Sequence, residues 1–184
     1  MSIIFLVPVG RVDDALLDGL GRSLEEMMGK EVRSMQGFGE PEYAFDPQRL
    51  QYSSTLILRE LVRAQSNGAL RILGVTECDL FIPMLSFIYG QAQLGGKAAI
   101  ISLARLGQEF YSMPARPQMK FDRAVKESIH ELGHTFGLTH CLDRACPMSL
   151  ATNIHQLDLK GTELCSGCSA ILRENLSALH SRIR

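Results

Sequence analysis

The chain has 184 residues, of which 46% are hydrophobic, enough for one ordinary domain with a core of its own. Lys and Arg number 19 against 20 Asp and Glu, a formal net charge of -1, which speaks against an electrostatic grip on nucleic acid or on an anionic membrane. No apolar run approaches the ~20 residues of a bilayer-spanning helix, so no membrane partner is expected.

The chain opens on Met1-Ser-Ile-Ile-Phe-Leu-Val-Pro-Val9. No basic segment precedes this run and no small-residue cleavage site follows it. It reads as a strand buried on both faces rather than a signal peptide, and the expected compartment is the cytoplasm. A helix follows from Asp13, a capping residue, with Leu16, Leu20, Leu24, Met27 and Met28 at helical spacing and Gly29 closing it. Residues 31–35 read as a second short strand. Residues 36–52, with Gly37, Gly39, Pro41 and Pro47, read as a loop.

The pattern predicts a second helix from Ser53 or Ser54 to Gln65, with Leu56, Leu58, Leu61 and Val62 inside and Asn67-Gly68 after it. A third strand covers 70–75 and residues 79–83 connect onward. Extended segments near 85–92 and 98–103 flank the turn signal Gly95-Gly96. The order β-α-β-α-β-β-β predicts an α/β (α+β) fold with a twisted, mostly parallel sheet and one antiparallel edge strand. Residues 104–121 are irregular. Asp122 then caps a helix from Arg123 to about Phe136, with Val125, Ile129, Leu132 and Phe136 as its core stripe.

That helix carries His130-Glu-Leu-Gly-His-Thr-Phe-Gly-Leu-Thr-His140. Residues four apart share a helix face, so His130 and His134 can bind one metal. A catalytic zinc takes three protein ligands and keeps one position for water. Gly137, just past the helix end, tolerates positive φ and lets the chain turn so that His140 swings back as the third ligand. Glu131, beside the first ligand, is placed to act as general base toward a zinc-bound water. A shuffled chain of this composition yields His-Glu-x-x-His roughly once in a hundred shuffles, and the full five-residue pattern roughly once in a hundred thousand. Helix histidines satisfied by backbone contacts are the bland alternative, and it does not account for all five positions together.

The chain has five cysteines. Cys141, Cys146, Cys165 and Cys168 form C-x4-C and C-x2-C pairs separated by 18 residues, the spacing of a tetrahedral structural zinc site. Two disulfides are the rival reading, and a redox Cys165-x-x-Cys168 pair a third. Cys78 stands alone, as a buried core residue or as a thiolate able to block the catalytic metal.

The extended histidine motif resembles the metzincins. With Cys141 directly after the third histidine, Cys146-Pro-Met148 next and Cys165-x-x-Cys168 later, it looks like the archaemetzincins. The segments Leu73-Gly-Val-Thr-Glu-Cys-Asp-Leu80 and Ile100-Ile-Ser-Leu-Ala-Arg105 are similar to that family as well. The resemblance implies a single metzincin-like catalytic domain over 1–184. An upper subdomain, about 1–137, carries the sheet and the active-site helix. A lower one, about 138–184, holds the four-Cys zinc and a last helix from Ser169 to about Ile183, burying Leu172, Leu176, Leu179 and Ile183. It also implies Met148 in a turn beneath the metal, and substrate held in extended form along an edge strand within 85–103.

The expected activity is zinc-dependent hydrolysis of peptide bonds, with two zinc ions per chain, a peptide or protein substrate, and a monomer as the working form. A zinc-bearing binding or regulatory protein with little turnover is the alternative. A zinc-ribbon nucleic-acid module is disfavoured by the near-neutral charge. His155 and His180 are expected at the surface. Tyr111 could line the cleft, and no residue matches the role of oxyanion stabiliser.

Overall fold

A strand with no polar face needs cover on both sides, and β1 (Ile3–Val9) has it: Ile4 and Leu6 join the core on one face, Val7 and Val9 the core on the other. The computed structural model describes residues 3–64 and 68–182, the last three by backbone alone. β1 leads into α1 (Asp14–Met28), where the Asp13 side chain accepts from the Leu16 N–H at 2.8 Å and Gly29 closes the helix in the left-handed region. The buried face of α1 is Leu17, Leu20, Leu24 and Met28.

β2 (Val32–Ser34) returns parallel to β1. α2 (Ser54–Arg63) and β5 (Ala69–Thr76) follow. Then β7 (Gly90–Ala92) and β8 (Ala98–Ser102) form the expected hairpin. The main sheet has the order β2-β1-β5-β8-β7, parallel except for β7 at its edge. α1 and α3 (Pro117–Thr135) cover one face and α2 the other. α4 (Ile154–Leu159) and α5 (Ser166–Arg182) complete the chain. Among the described residues, no helix is long and apolar enough to cross a membrane.

Four expectations need correction. The stretch read as loop and connection contains a second sheet of β3 (Phe45–Asp46), β4 (Gln51–Ser53) and β6 (Leu80–Phe81), preceded by a 3-10 turn at Glu42–Ala44. Strands of two or three residues have no periodicity to reveal them. α3 begins at Pro117, six residues before the expected start. Proline is suited to the first helical turn, and Asp122 lies inside the helix, accepting from Gln118 at 2.7 Å. α5 begins at Ser166 rather than Ser169, because the Cys165 Sγ accepts the Cys168 N–H at 3.5 Å and the Cys165 carbonyl starts the first turn through Ser169. α4, capped by Asn153, lies in a stretch to which no element was assigned. In α2 the buried apolar side chains are Ile57, Leu58 and Leu61, beside the buried Ser54, with Leu56 and Val62 half-buried. Leu172 is buried on α5 and Leu176 and Leu179 are half-buried. Gln65, Asn67, the His180 side chain and Ile183 fall outside the described residues.

Candidate active site and metal centres

α3 ends in a way that fixes the third histidine. Gly137 has φ +89°, its N–H donates to the His134 carbonyl at 2.9 Å, and the Leu138 N–H reaches back to the Gly133 carbonyl at 3.0 Å. These are the paired bonds of a Schellman ending, which needs a residue at ease in the left-handed region. The Gly95 N–H of the β7–β8 turn donates to the same His134 carbonyl at 2.9 Å, and Asn175 of α5 donates to the Phe136 carbonyl at 2.8 Å. The helix end is thereby tied to the sheet and to the last helix.

His130, His134 and His140 converge, with their ligand atoms all within 4.8 Å of one another. Nε2 of His130 and Nε2 of His134 lie 3.1 Å apart. A zinc–nitrogen tetrahedron with bonds of 2.0–2.1 Å has an edge of about 3.3 Å, so the pair is spaced to share an ion. Nδ1 of His130 donates to the Pro147 carbonyl at 2.8 Å and Nδ1 of His134 to the Leu138 carbonyl at 2.7 Å. Each bond puts the proton on Nδ1 and turns the Nε2 lone pair inward. Burial pushes all three imidazoles below their ordinary pKa, His130 to about 3, with Lys160 a further cause in each. Neutral imidazole is the ligating form.

Glu131 is 4% exposed and lines the same cleft, a cavity of about 400 Å³ bounded above by residues 85–92 and below by Leu150, Ala151 and Thr152. Burial, and then the Glu127 carboxylate, hold Glu131 well above the usual carboxylate range. A Cβ on Gly90 would lie 2.6 Å from Glu131 Cγ and 2.7 Å from its Oε1. The edge strand β7 thus rests its bare backbone on the glutamate, an approach only glycine permits. Met148 is fully buried beneath α3, its sulfur against Gly133.

Cys141, Cys146, Cys165 and Cys168 form the second cluster, again with ligand atoms within 4.8 Å. Sγ of Cys141 and Sγ of Cys165 are 3.7 Å apart. A zinc–sulfur tetrahedron with bonds of about 2.3 Å has an edge of about 3.8 Å. A disulfide requires about 2.05 Å, and all five cysteines are free thiols, so the disulfide alternative gives way to a metal-holding set. Hydrogen bonds around the cluster, the Cys168 backbone first, draw the Cys165 thiol down to about 7, toward the ligating thiolate.

Both donor sets therefore fit zinc. Between them runs the turn Cys146-Pro147-Met148. Cys146 belongs to the thiol cluster, the Pro147 carbonyl orients His130, and the Met148 carbonyl accepts the Cys141 N–H at 2.9 Å.

A family profile described as Peptidase family M54 matches residues 40–174. The chain belongs to this family. An archaemetzincin of Methanocaldococcus jannaschii is 40% identical over 171 residues, 93% of each chain. The crystal structure of the archaemetzincin of Methanopyrus kandleri superposes with a TM-score of 0.83 at 36% identity, covering 96% of each chain. A structure described as a zinc-dependent peptidase from Methanocorpusculum labreanum gives a TM-score of 0.80 at 31% identity, covering 92% of this chain and 99% of that one. Membership makes this chain a metallopeptidase by family, and the mostly parallel sheet with its antiparallel edge strand is the fold it shares with the archaemetzincins.

Three residues weighed from sequence lie elsewhere. Cys78 sits in a separate pocket with Glu40, Tyr52 and Asp79, away from the histidines, so it does not block them. His155 is exposed on α4. Tyr111 does not line the cleft and donates to the Arg105 carbonyl at 3.1 Å, whereas Tyr89 does line it, its hydroxyl held protonated by burial and by Tyr111. Sequence reasoning missed Glu127, Lys160 and Gly90 as cleft residues. Glu127 was within reach, since it stands one helical turn before Glu131 on the same face.

Proposed function

We propose that this protein hydrolyses peptide bonds, with His130, His134 and His140 holding one zinc, Glu131 as the catalytic base, and Cys141, Cys146, Cys165 and Cys168 holding a second, structural zinc. Zinc, when bound, supplies a Lewis acid that acidifies a water and polarises a peptide carbonyl. Glu131 takes a proton from the attacking water and returns it to the leaving amine. Burial and the neighbouring Glu127 favour its protonated form, the form that hands a proton to the amine.

β7 offers an open strand edge beside Glu131, and an extended peptide would lie along it by strand addition. Tyr89 lines the cleft with its ring, and its hydroxyl is buried and keeps its proton. The same reading takes residues 1–184 as one catalytic unit, about 1–137 carrying the sheet and the active-site helix and about 138–184 the four cysteines. It works as a monomer in the cytoplasm, on short peptides or flexible segments.

The observation that carries this reading is the convergence of three neutral imidazoles, two of them orientated by backbone carbonyls, on a cleft that also holds Glu131. The test is to count zinc per chain and screen a peptide library with the unmutated protein and with Glu131→Gln. Two zincs, and cleavage lowered at least roughly a hundredfold by the substitution, are expected. Two zincs with no cleavage of any peptide would make the protein a zinc-bearing binding module. One zinc or none would overturn the two-site assignment.

A further inference from the structure

Lys160 is a cation in an unusual position. The residue is 3% exposed, yet it lines the cleft that holds the three histidines and Glu131. Its Nζ has no hydrogen-bond partner, and no carboxylate within 4 Å, among the described residues. The stem is buried and the ammonium opens on the cleft, where its N–H donors are available to an anionic ligand.

The surroundings hold it in place. Two residues earlier, Asp158 takes a two-point grip from the buried Arg123 of α3, at 2.7 and 2.8 Å. On the other side, the Gly161 N–H donates to the Ala145 carbonyl at 2.7 Å. The end of α4 is therefore pinned to α3 and to the loop before the Cys146-Pro147-Met148 turn, and Lys160 enters the cleft from that fixed backbone. Glu127, one turn before Glu131 on α3, borders the same space, and its Oε2 is buried without a hydrogen-bond partner.

We propose that Lys160 is the receptor for a substrate carboxylate, at the end of the cleft marked by Glu127, about one helical turn along α3 from the histidines. The inference rests on the peptidase reading above, which lays a peptide along β7 across this space. A peptide's own anions are carboxylates, either its free C-terminus or an Asp or Glu side chain.

The test uses the zinc-loaded Glu131→Gln protein, so that binding is read without turnover. Three kinds of peptide of one neutral sequence are titrated: the free acid, the C-terminal amide, and amides with one glutamate placed at each position in turn. A carboxylate-bearing peptide is expected to bind roughly tenfold or more tightly than the neutral amide. Adding Lys160→Met should abolish that preference and leave affinity for the neutral amide within about twofold, with Lys160→Gln as the second variant should the first not fold. Preference for the free acid identifies a chain end as the occupant, and preference for an internal glutamate identifies an acidic side chain. An undiminished preference in both lysine variants means that the carboxylate goes to the metal, and this overturns the proposal. So does the absence of any preference when Lys160 is intact. Cleavage by the unmutated protein with no carboxylate preference sinks this inference alone. A lysine-dependent preference in a protein that cleaves nothing sinks the peptidase reading and leaves the carboxylate site standing.

Discussion

Glu131 lies beneath the one position of β7 that has no side chain over it. Its backbone is fixed by α3 and its carboxylate by the contact with Gly90, so the strand proposed to carry substrate also sets where the proposed base points. Gly90→Ala puts a methyl group within 2.6–2.7 Å of the glutamate, so either the carboxylate or the strand must move. A displacement of this size at a catalytic base lowers turnover by about 10- to 100-fold. The expected result is that loss in kcat on the best library peptide, with zinc per chain unchanged; full turnover in the variant would show that the contact places nothing. The histidines and Glu131 were legible in the sequence because their geometry is local: a helix face and one turn beyond it place all four. Gly90 and Lys160 were not. Each matters through an approach between segments some 30 to 40 residues apart in sequence, and no spacing rule reports it.

The long elements follow from pattern. Strands β1, β5 and β8, the helices α1 and α2, and the β7–β8 hairpin stand where apolar periodicity, caps and the Gly95-Gly96 turn put them. What escaped were short strands whose pairing is decided by tertiary contact, and helix starts made by proline or by a thiol rather than by the usual capping residues. The six-residue α4, capped in the ordinary way by Asn153, escaped as well and is the most consequential, because its junction with α3 places Lys160. That junction rests on Arg123, which is 3% exposed and donates to both oxygens of Asp158 and to the Leu106 carbonyl at 2.7 Å. Arg123→Met leaves a buried carbonyl and a half-exposed carboxylate without their donor. The expected cost is about 2 kcal/mol of unfolding free energy in urea. Lys126→Met, which removes one bond at 3.2 Å to the Asp158 carbonyl, should cost less than about 0.5 kcal/mol. Equal losses would mean that the clamp is not in the guanidinium.

The two candidate metal sites, the histidine trio and the thiol cluster, share one piece of backbone. From the sequence, their link is the junction His140-Cys141. The fold adds a second link through Cys146-Pro147-Met148, which supplies a thiol to one cluster, orients a histidine of the other through the Pro147 carbonyl, and holds the Cys141 amide through the Met148 carbonyl. Beyond Leu138, the buried apolar side chains among the described residues are Met148, Leu157 and Leu172, with Cys146 and Cys168 of the thiol cluster, a small core. A metal at the four thiols supplies folding free energy that so small a lobe cannot draw from apolar burial. Removing it should therefore loosen the Pro147 carbonyl and the chain that aims His140, and weaken the histidine site from a distance. Cys165→Ser with Cys168→Ser tests this without touching a histidine or Glu131. The expected outcome is a folded upper sheet by circular dichroism, with affinity for zinc at the histidines lowered roughly 10- to 100-fold, read by competition with a chromophoric chelator. If the folded double variant keeps one zinc per chain at unchanged affinity, the two centres are independent, and the shared turn carries no coupling between them.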